Sequence, residues 1–600
     1  MPATQVSMID PLVILPPEVV LRILEFAPVA DVAALTAVSK AWHQFIDLTH
    51  QQAIYASESK TLRPPQVGRD ISFLSESHSF SNFFKGTASW KDLCRRQTVL
   101  ARNWSHTCPE SQESVLQVGN DPIWRFRPDF KRRFFVSTSH AGGLNVTDMD
   151  SGRILWRLPS SLDHGKGGVR PYAHLEYQDG MAVFDRTGDA VEVWQADLEG
   201  LSRGEFRRIA VLNHDCQTRG FQLSHWTLCV VSNQGQGFVY DMTQRPPKLT
   251  THLKIEPDAV GHLDQTEDTV IYSMGPRGYD AYDKRSGGFL GTLQPSHCKA
   301  KYHIRHPVTT SPSAAAALAG AARRSSHRFS HSTQSRRDHL MPIQIEQGPL
   351  PAPVDPEHVW HGEDEWGAGM LDGDLFVGFS RAGRIFICSD WRKALRDRNH
   401  LIECSSLLEC ESDGSGFDLG GWLAVRNHRV MFEIQDRIYV VGLNDENNLT
   451  YMNTSNRASY SLLTSSAPQL AVPVSFMTLC DDAILTTFTT LGWRQSLSDI
   501  PGDTTPLRFP NPERIFPTKT IRVLSLAPNH SKSQFPATSL DDLTRHRTPS
   551  SRETSHGLPE DYQSTEEMWH SEASLLQLVD LLGDDLAAQE DELDNQQEWP

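Results

Sequence analysis

The apolar positions of this chain change period along its length, and the first stretch is helical. Leu15, Val19, Val20, Ile23, Leu24 and Phe26 recur at helix spacing, followed by Val32, Leu35 and Val38, then by Trp42, Phe45 and Ile46. Pro16 and Pro17 hold φ near its helical value and lack an N–H that a first turn cannot use, so they open the first helix. Glu18 sits in that turn, where negative charge meets the positive end of the helix dipole. Pro28 stops this helix, Asp31 caps a second and Ser39 a third. An apolar face this wide does not suit a solvated surface helix. Modules below ~40 residues rarely fold unaided, so part of this surface must meet a partner or the rest of the chain.

The helical period returns once, in Ser89–Trp104, where Trp90, Leu93, Gln97, Leu100 and Trp104 share a face. From about Ile123 the texture becomes short β-rich runs broken by Gly, Asp and Asn. Several runs end alike: Leu144–Asp148, Val191–Gln195, Phe238–Asp241, Tyr279–Asp283 and Ile385–Asp390. Their last residues are 47, 46, 42 and 107 positions apart. A period of ~40–45 residues marks one supersecondary unit repeated around a ring. The long gap holds Thr309–Gly348, with an alanine run, many serines and paired arginines, which reads as a disordered insertion. A further unit ends near Ile438–Val441, and a degenerate last one spans Phe476–Thr489 and Ile521–Leu526. Ser114–Val118 supplies a strand to close the ring, which would remove exposed edges.

The N-terminal pattern resembles the F-box, and the periodic strands are similar, more loosely, to WD-repeat β-propeller blades. Gly-His and Trp-Asp dipeptides are nearly absent, so the second likeness rests on period and strand endings. Seven blades are expected, with six or eight open. The resulting division is an F-box at 10–60, a loop at 61–85 and a linker helix at 86–112. A propeller follows at 113–528 with its disordered insertion at about 306–350. A disordered linker at 529–563 leads to an acidic amphipathic tail at 564–600. The F-box resemblance implies docking on the Skp-type adaptor of a cullin–RING ubiquitin ligase, through Leu15, Pro16, Val20, Ile23, Leu24, Leu35, Val38 and Trp42. Ala27 and Val32 depart from the family pattern, where leucine is common. The expected role is substrate receptor, with a scaffold acting outside a ligase, or a propeller enzyme, as alternatives.

Composition sharpens this picture. The net charge of −17 is concentrated at the end: from Asp541 onward there are sixteen acids and three arginines. The body is close to neutral, which argues against general nucleic-acid binding. No run approaches the ~18 apolar residues of a membrane span. Nine cysteines at irregular spacing suggest reduced thiols, hence an intracellular protein of cytoplasm or nucleus. Paired arginines at 323–324 and 336–337 are a weak match to a nuclear import signal. In the tail, Met568, Trp569, Leu575, Leu578, Val579, Leu582 and Leu586 form an apolar stripe that either packs back on the propeller or docks a basic partner surface.

The chain offers no catalytic constellation. Gly235-Gln236-Gly237 lacks the third glycine of a dinucleotide fingerprint, and His164–Gly168 lacks phosphate-loop spacing. Asp413–Gly416 is not a nucleophile elbow. Cys388, Cys404 and Cys410 lack metal-ligand spacing and read as buried thiols. No cofactor is expected. One constellation favours binding: Arg186, Arg277 and Arg381 fall in the turn after the second strand of their units. Guanidinium groups there suit carboxylates or phosphates, hence a phosphorylated or acidic protein substrate.

Overall fold

The computed structural model describes residues 10–528, apart from 59–77, 165–167, 187–189, 258–260, 306–339, 352–363, 411–422, 435–436, 450–456, 467–469, 471 and 494–514. The expected tail therefore lies outside the described residues, as does most of the insertion.

Five short helical elements open the chain: α1 (Pro11–Ile14), α2 (Pro17–Leu24), α3 (Val29–Leu35), α4 (Lys40–His43), which continues as a π-helix over Gln44–Thr49, and α5 (Gln51–Glu58). The proline start of α2 and the Ser39 cap of α4 are as the sequence predicts, with Ser39 Oγ accepting from Trp42 N at 3.2 Å. Asp31 is not a cap. Pro28 occupies that position, its fixed φ of −56° already suited to starting a helix, and Asp31 falls in the first turn. The sequence reading also missed α1, whose Asp10 carboxylate accepts from Leu12 N at 3.0 Å. A long helix, α6 (Trp90–Ser105), follows with its Ser89 cap bonded to Asp92 N and Trp90, Leu93, Cys94, Leu100 and Trp104 buried.

The rest is all-β, with strands numbered β1 to β30 along the chain. Consecutive groups of four antiparallel strands form the sheets: β2–β5 within 123–158, β6–β9 within 175–213, β10–β13 within 218–254 and β14–β17 within 263–293. A last sheet joins β28 (Met477–Leu479), β29 (Ala483–Trp493) and β30 (Ile515–Ser525) to β1 (Gln112–Leu116), so the expected early strand pairs with β30. Groups β20–β23, within 366–409, and β24–β27, within 423–463, are bridged into one ten-stranded sheet by β18 (Ala300–Arg305) and β19 (Met341–Gln347). The expected disordered insertion is corrected here: 341–347 alternate in burial and pair as a strand. The first strands of successive groups lie against one another, β2 (Ile123–Asp129) beside β6 (Leu175–Gln178), and so on through β10 (Thr218–Ser224), β14 (Leu263–Gln265), β20 (Trp366–Asp372), β24 (Leu423–Arg426) and β28 (Met477–Leu479). β2 in turn packs on β29 and β30, which returns the succession to its start.

The strand ends that repeat in sequence are third strands, and their aspartates have a local reason. Asp148 accepts from the N–H groups of Asp150 and Ser151, Asp283 from those of Arg285 and Ser286, and Asp241 from that of Thr243. Each carboxylate closes the turn to the fourth strand. Positive φ at Gly152 and Gly287 completes two of these turns.

The helical start and the β-domain share one core. Val20, Leu24, Val32, Ile46, Leu93 and Trp104 belong to the same buried cluster as Met431, Val440, Tyr460, Met477 and Leu524. Helix α6 carries the joint. Trp104 Nε1 donates to Asp481 O at 2.9 Å, and Asn103 Nδ2 to Leu526 O at 2.7 Å. Tyr460 donates its hydroxyl to the Trp104 carbonyl at 2.9 Å, satisfying a helix C-terminal acceptor. Arg429 stacks its guanidinium 4.4 Å from the Trp104 ring centroid, and burial lowers its pKa to about 10. Buried Asp482 accepts from Phe80 N at 2.8 Å and Ser81 N at 2.9 Å, pinning the segment before α6. Replacing Trp104 with alanine is expected to lower stability by about 3–5 kcal/mol, and Tyr460→Phe by about 1 kcal/mol. Urea midpoints of the full chain check both, and a Trp104→Ala midpoint equal to wild type would contradict the joint.

Candidate functional site: an exposed helical face

Helix α2 is apolar on two stripes, and the structure separates them. Val20 and Leu24, four residues apart, turn inward and are 2% and 6% exposed. Val19, Ile23 and Phe26 turn outward, with Ile23 at 52% and Phe26 at 78%. Val13, Ile14, Val38 and Leu48 are exposed as well. Seven of the twelve exposed large apolar side chains among the described residues thus fall within 13–48. Large apolar side chains are costly to leave in water, and these gather in one stretch of the chain.

The eight expected adaptor contacts divide accordingly. Pro16, Ile23 and Val38 are exposed, while Leu15, Leu35 and Trp42 are half-buried. Val20 and Leu24 are core residues that hold α2 rather than surface it presents. Val13 and Ile14 were not anticipated, since α1 itself was not. The sequence signal for Val19 and Phe26 was the apolar face too wide for one stripe. Of the two departures from the family pattern, Val32 is buried and Ala27 packs against the shared core. An ion pair ties these helices to α6: Lys91 Nζ lies 2.8 Å from Asp47 Oδ2 of the π-helix.

Arg186, Arg277 and Arg381 do lie in second-to-third-strand turns, the end of the strands opposite the Asp481–Asp482 turn that meets α6. Each has its own carboxylate: Arg186 to Glu192 at 3.3 Å, Arg277 to Glu256 at 2.7 Å, Arg381 to Glu365 at 3.4 Å. An incoming anion must compete with these pairs, which are part-exposed and individually weak.

A charged cluster that sequence reasoning missed spans the first strands. His174 Nε2 lies 3.0 Å from Arg125 Nη1 and 2.9 Å from Glu176 Oε1, and Arg127 also pairs with Glu176. Burial and the Arg125 charge hold His174 neutral, its pKa down to about 4. Burial would raise Glu176, but Arg127 and His174 more than offset it and bring it to about 2. Asp264 of β14 (Leu263–Gln265) accepts from Leu371 N at 2.7 Å, yet burial lifts its pKa to about 7. Each residue alone looks like an ordinary polar strand position. Among the described residues no group of three or more His, Cys, Asp or Glu is placed to hold a metal ion. No described helix is long and apolar enough to cross a membrane.

Residues 12–51 match the F-box-like family model and form an F-box-like domain. Among solved structures, the computationally designed Ika8 protein is similar at 13% identity and a TM-score of 0.34, covering 62% of this chain and 96% of its own. Saccharomyces cerevisiae Sqt1 is similar at 8% identity and a TM-score of 0.38, with 69% of this chain and 99% of that one covered. No curated protein matches the chain.

The raised pKa of Asp264 has a pH signature. The unfolded carboxyl ionises near the ordinary aspartate value of 3.8 and the folded one at about 7, so its contribution is full below the first value. That contribution is lost as pH rises through the second. Asp264→Asn keeps an acceptor for Leu371 N but not the charge. At pH 8 it should be more stable than wild type by on the order of 2–4 kcal/mol, with the gap closing at pH 4. Paired denaturation curves check this, and a gap that widens on acidification would contradict it.

Proposed function

We propose that the chain is the substrate-receptor subunit of a Skp–cullin–F-box ubiquitin ligase, working inside the cell, in cytoplasm or nucleus. The F-box-like helices dock a Skp-type adaptor and α6 fixes their position on the β-domain. The β-domain acts as a seven-bladed WD-like propeller whose far face receives a protein target. The observation that carries this reading is the set of outward apolar side chains on an F-box-like domain whose inward stripe is already used for folding. The circular succession of four-stranded groups supports the propeller. Such a subunit catalyses nothing itself. It raises the effective concentration of a target lysine near the charged conjugating enzyme. The turn arginines Arg186, Arg277 and Arg381 give the far face a preference for acidic or phosphorylated segments, which displace the resident carboxylates.

One observation favours a second reading. The Arg125, Arg127, His174, Glu176 and Asp264 cluster is a set of perturbed titratable groups of the kind catalytic sites use. Its carboxylate, however, is already engaged: Glu176 pairs with Arg127, a bolt between β2 and β6. Receptor is therefore the reading adopted, with a scaffold outside a ligase distinguished by capture of adaptor without cullin.

Ile23→Asp and Phe26→Asp place a charge on exposed positions and spare the core. Each should leave the melting temperature unchanged and weaken pull-down of a Skp-type adaptor and cullin by roughly 30-fold or more. Adaptor capture that matches wild type would refute the docking role. Combined Arg186→Ala, Arg277→Ala and Arg381→Ala should keep the adaptor and lose proteins that wild type recovers, read by quantitative mass spectrometry. Unchanged recovery would remove the arginines from target recognition.

A further inference from the structure

After Cys388, the last residue of β22 (Arg384–Cys388), the chain leaves the sheet for two short helices, Trp391–Ala394 and Arg398–Cys404, and re-enters at Ser405. The excursion is firmly seated. Trp391 is 1% exposed and its indole donates to Gly373 O at 3.0 Å. Gly291 of the neighbouring sheet sits so close that a Cβ there would meet Leu395 O at 2.5 Å.

Because Cys388 pairs directly with Ser405 across the ladder, Cys404 returns beside it. The two sulfurs lie 3.6 Å apart and are unbonded thiols. Cys388 is buried, whereas Cys404 is half-buried. His400 stands one turn before Cys404 on the same helix, its Nε2 3.1 Å from Asp390 Oδ2. Cys298 belongs to the same apolar cluster. The thiols are unequal: the hydrogen bond shared with Cys388, with the Asp390 backbone and His400 adding to it, brings Cys404 down to about 7 against the opposing effect of burial. Sharing that bond and its burial push Cys388 well up. The thiolate is the reacting species, and Cys404 is the less buried of the two, with Cys388 behind it in the sheet.

We propose that Cys404 and Cys388 form a hydroperoxide-responsive modification site, with Cys404 as the attacking thiol and Cys388 as the resolving thiol. The Cys404 thiolate attacks one oxygen of the hydroperoxide and the O–O bond breaks. The other oxygen leaves with a proton as water or alcohol, and Cys404 becomes a sulfenic acid. The Cys388 sulfur then attacks the Cys404 sulfur. The S–OH bond breaks, water leaves with the Cys388 proton, and a disulfide forms. Two thiols are oxidised by two electrons and one hydroperoxide is reduced. The new bond staples the helical excursion to the sheet that carries it, at the contact with its neighbour.

The test treats the full chain with sub-millimolar hydrogen peroxide and maps the products by peptide mass spectrometry. The expected result is a Cys388–Cys404 linkage, lighter by two hydrogens, appearing roughly tenfold faster than oxidation of exposed Cys108. Oxidised wild type should melt a few degrees higher than reduced. Cys388→Ser should stop at the sulfenic acid, trapped on Cys404 by dimedone, and Cys404→Ser should give neither linkage nor adduct at Cys388. Wild-type mapping needs no variant, so a misfolded variant leaves the test intact. Oxidation of Cys108 as fast as Cys404, or linkage of Cys404 to Cys298 instead, would overturn the assignment.

Discussion

The structure depends on one buried joint, where the C-terminal end of α6 meets the β-domain. A helix end leaves carbonyls without partners, and here it is closed by protein: Tyr460 donates to the Trp104 carbonyl while the Trp104 indole donates to Asp481 O. The Arg429 guanidinium covers the indole face, and Asp482 gathers the N–H groups of Phe80 and Ser81. Without these bonds the six N-terminal helical elements would have too little core to hold their shape. With them, Val20, Leu24 and Val32 join a cluster that extends to Tyr460 and Leu524.

That joint also sets direction. Asp481 and Asp482 lie in a first-to-second-strand turn, and neighbouring sheets meet through the same end: Arg426 with Asp481, Arg392 with Asp268, Arg132 with Asp179. The F-box-like helices are therefore anchored at one end of the strands. The turns bearing Arg186, Arg277 and Arg381 lie at the other. An adaptor on the outward stripe of α2 and a target on the arginine turns would not compete for space, which is the geometry a receptor needs.

Much of this was legible wherever the cause was local. Ser39 caps its helix because its side chain reaches an N–H three residues on, and Asp148, Asp241 and Asp283 repeat because each closes the same turn. What was not legible depends on distance in sequence. Asp482 meets Ser81 across some four hundred residues, and nothing near either residue announces it. Cys388 and Cys404 read as isolated thiols until the ladder brings the chain back. Val20 and Ile23 look interchangeable in a wide apolar face, and only the packing of α2 against the core assigns one inward and the other outward. The strand over 341–347 was hidden by its low-complexity neighbours.

Hydrogen–deuterium exchange of the full chain with and without a purified Skp-type adaptor tests the central claim most directly. Protection confined to amides within 12–51, with turns 274–278 and 381–383 unaffected, is the predicted result. No protection within 12–51, or protection centred on those turns, would contradict the assignment of one end to the adaptor and the other to the target.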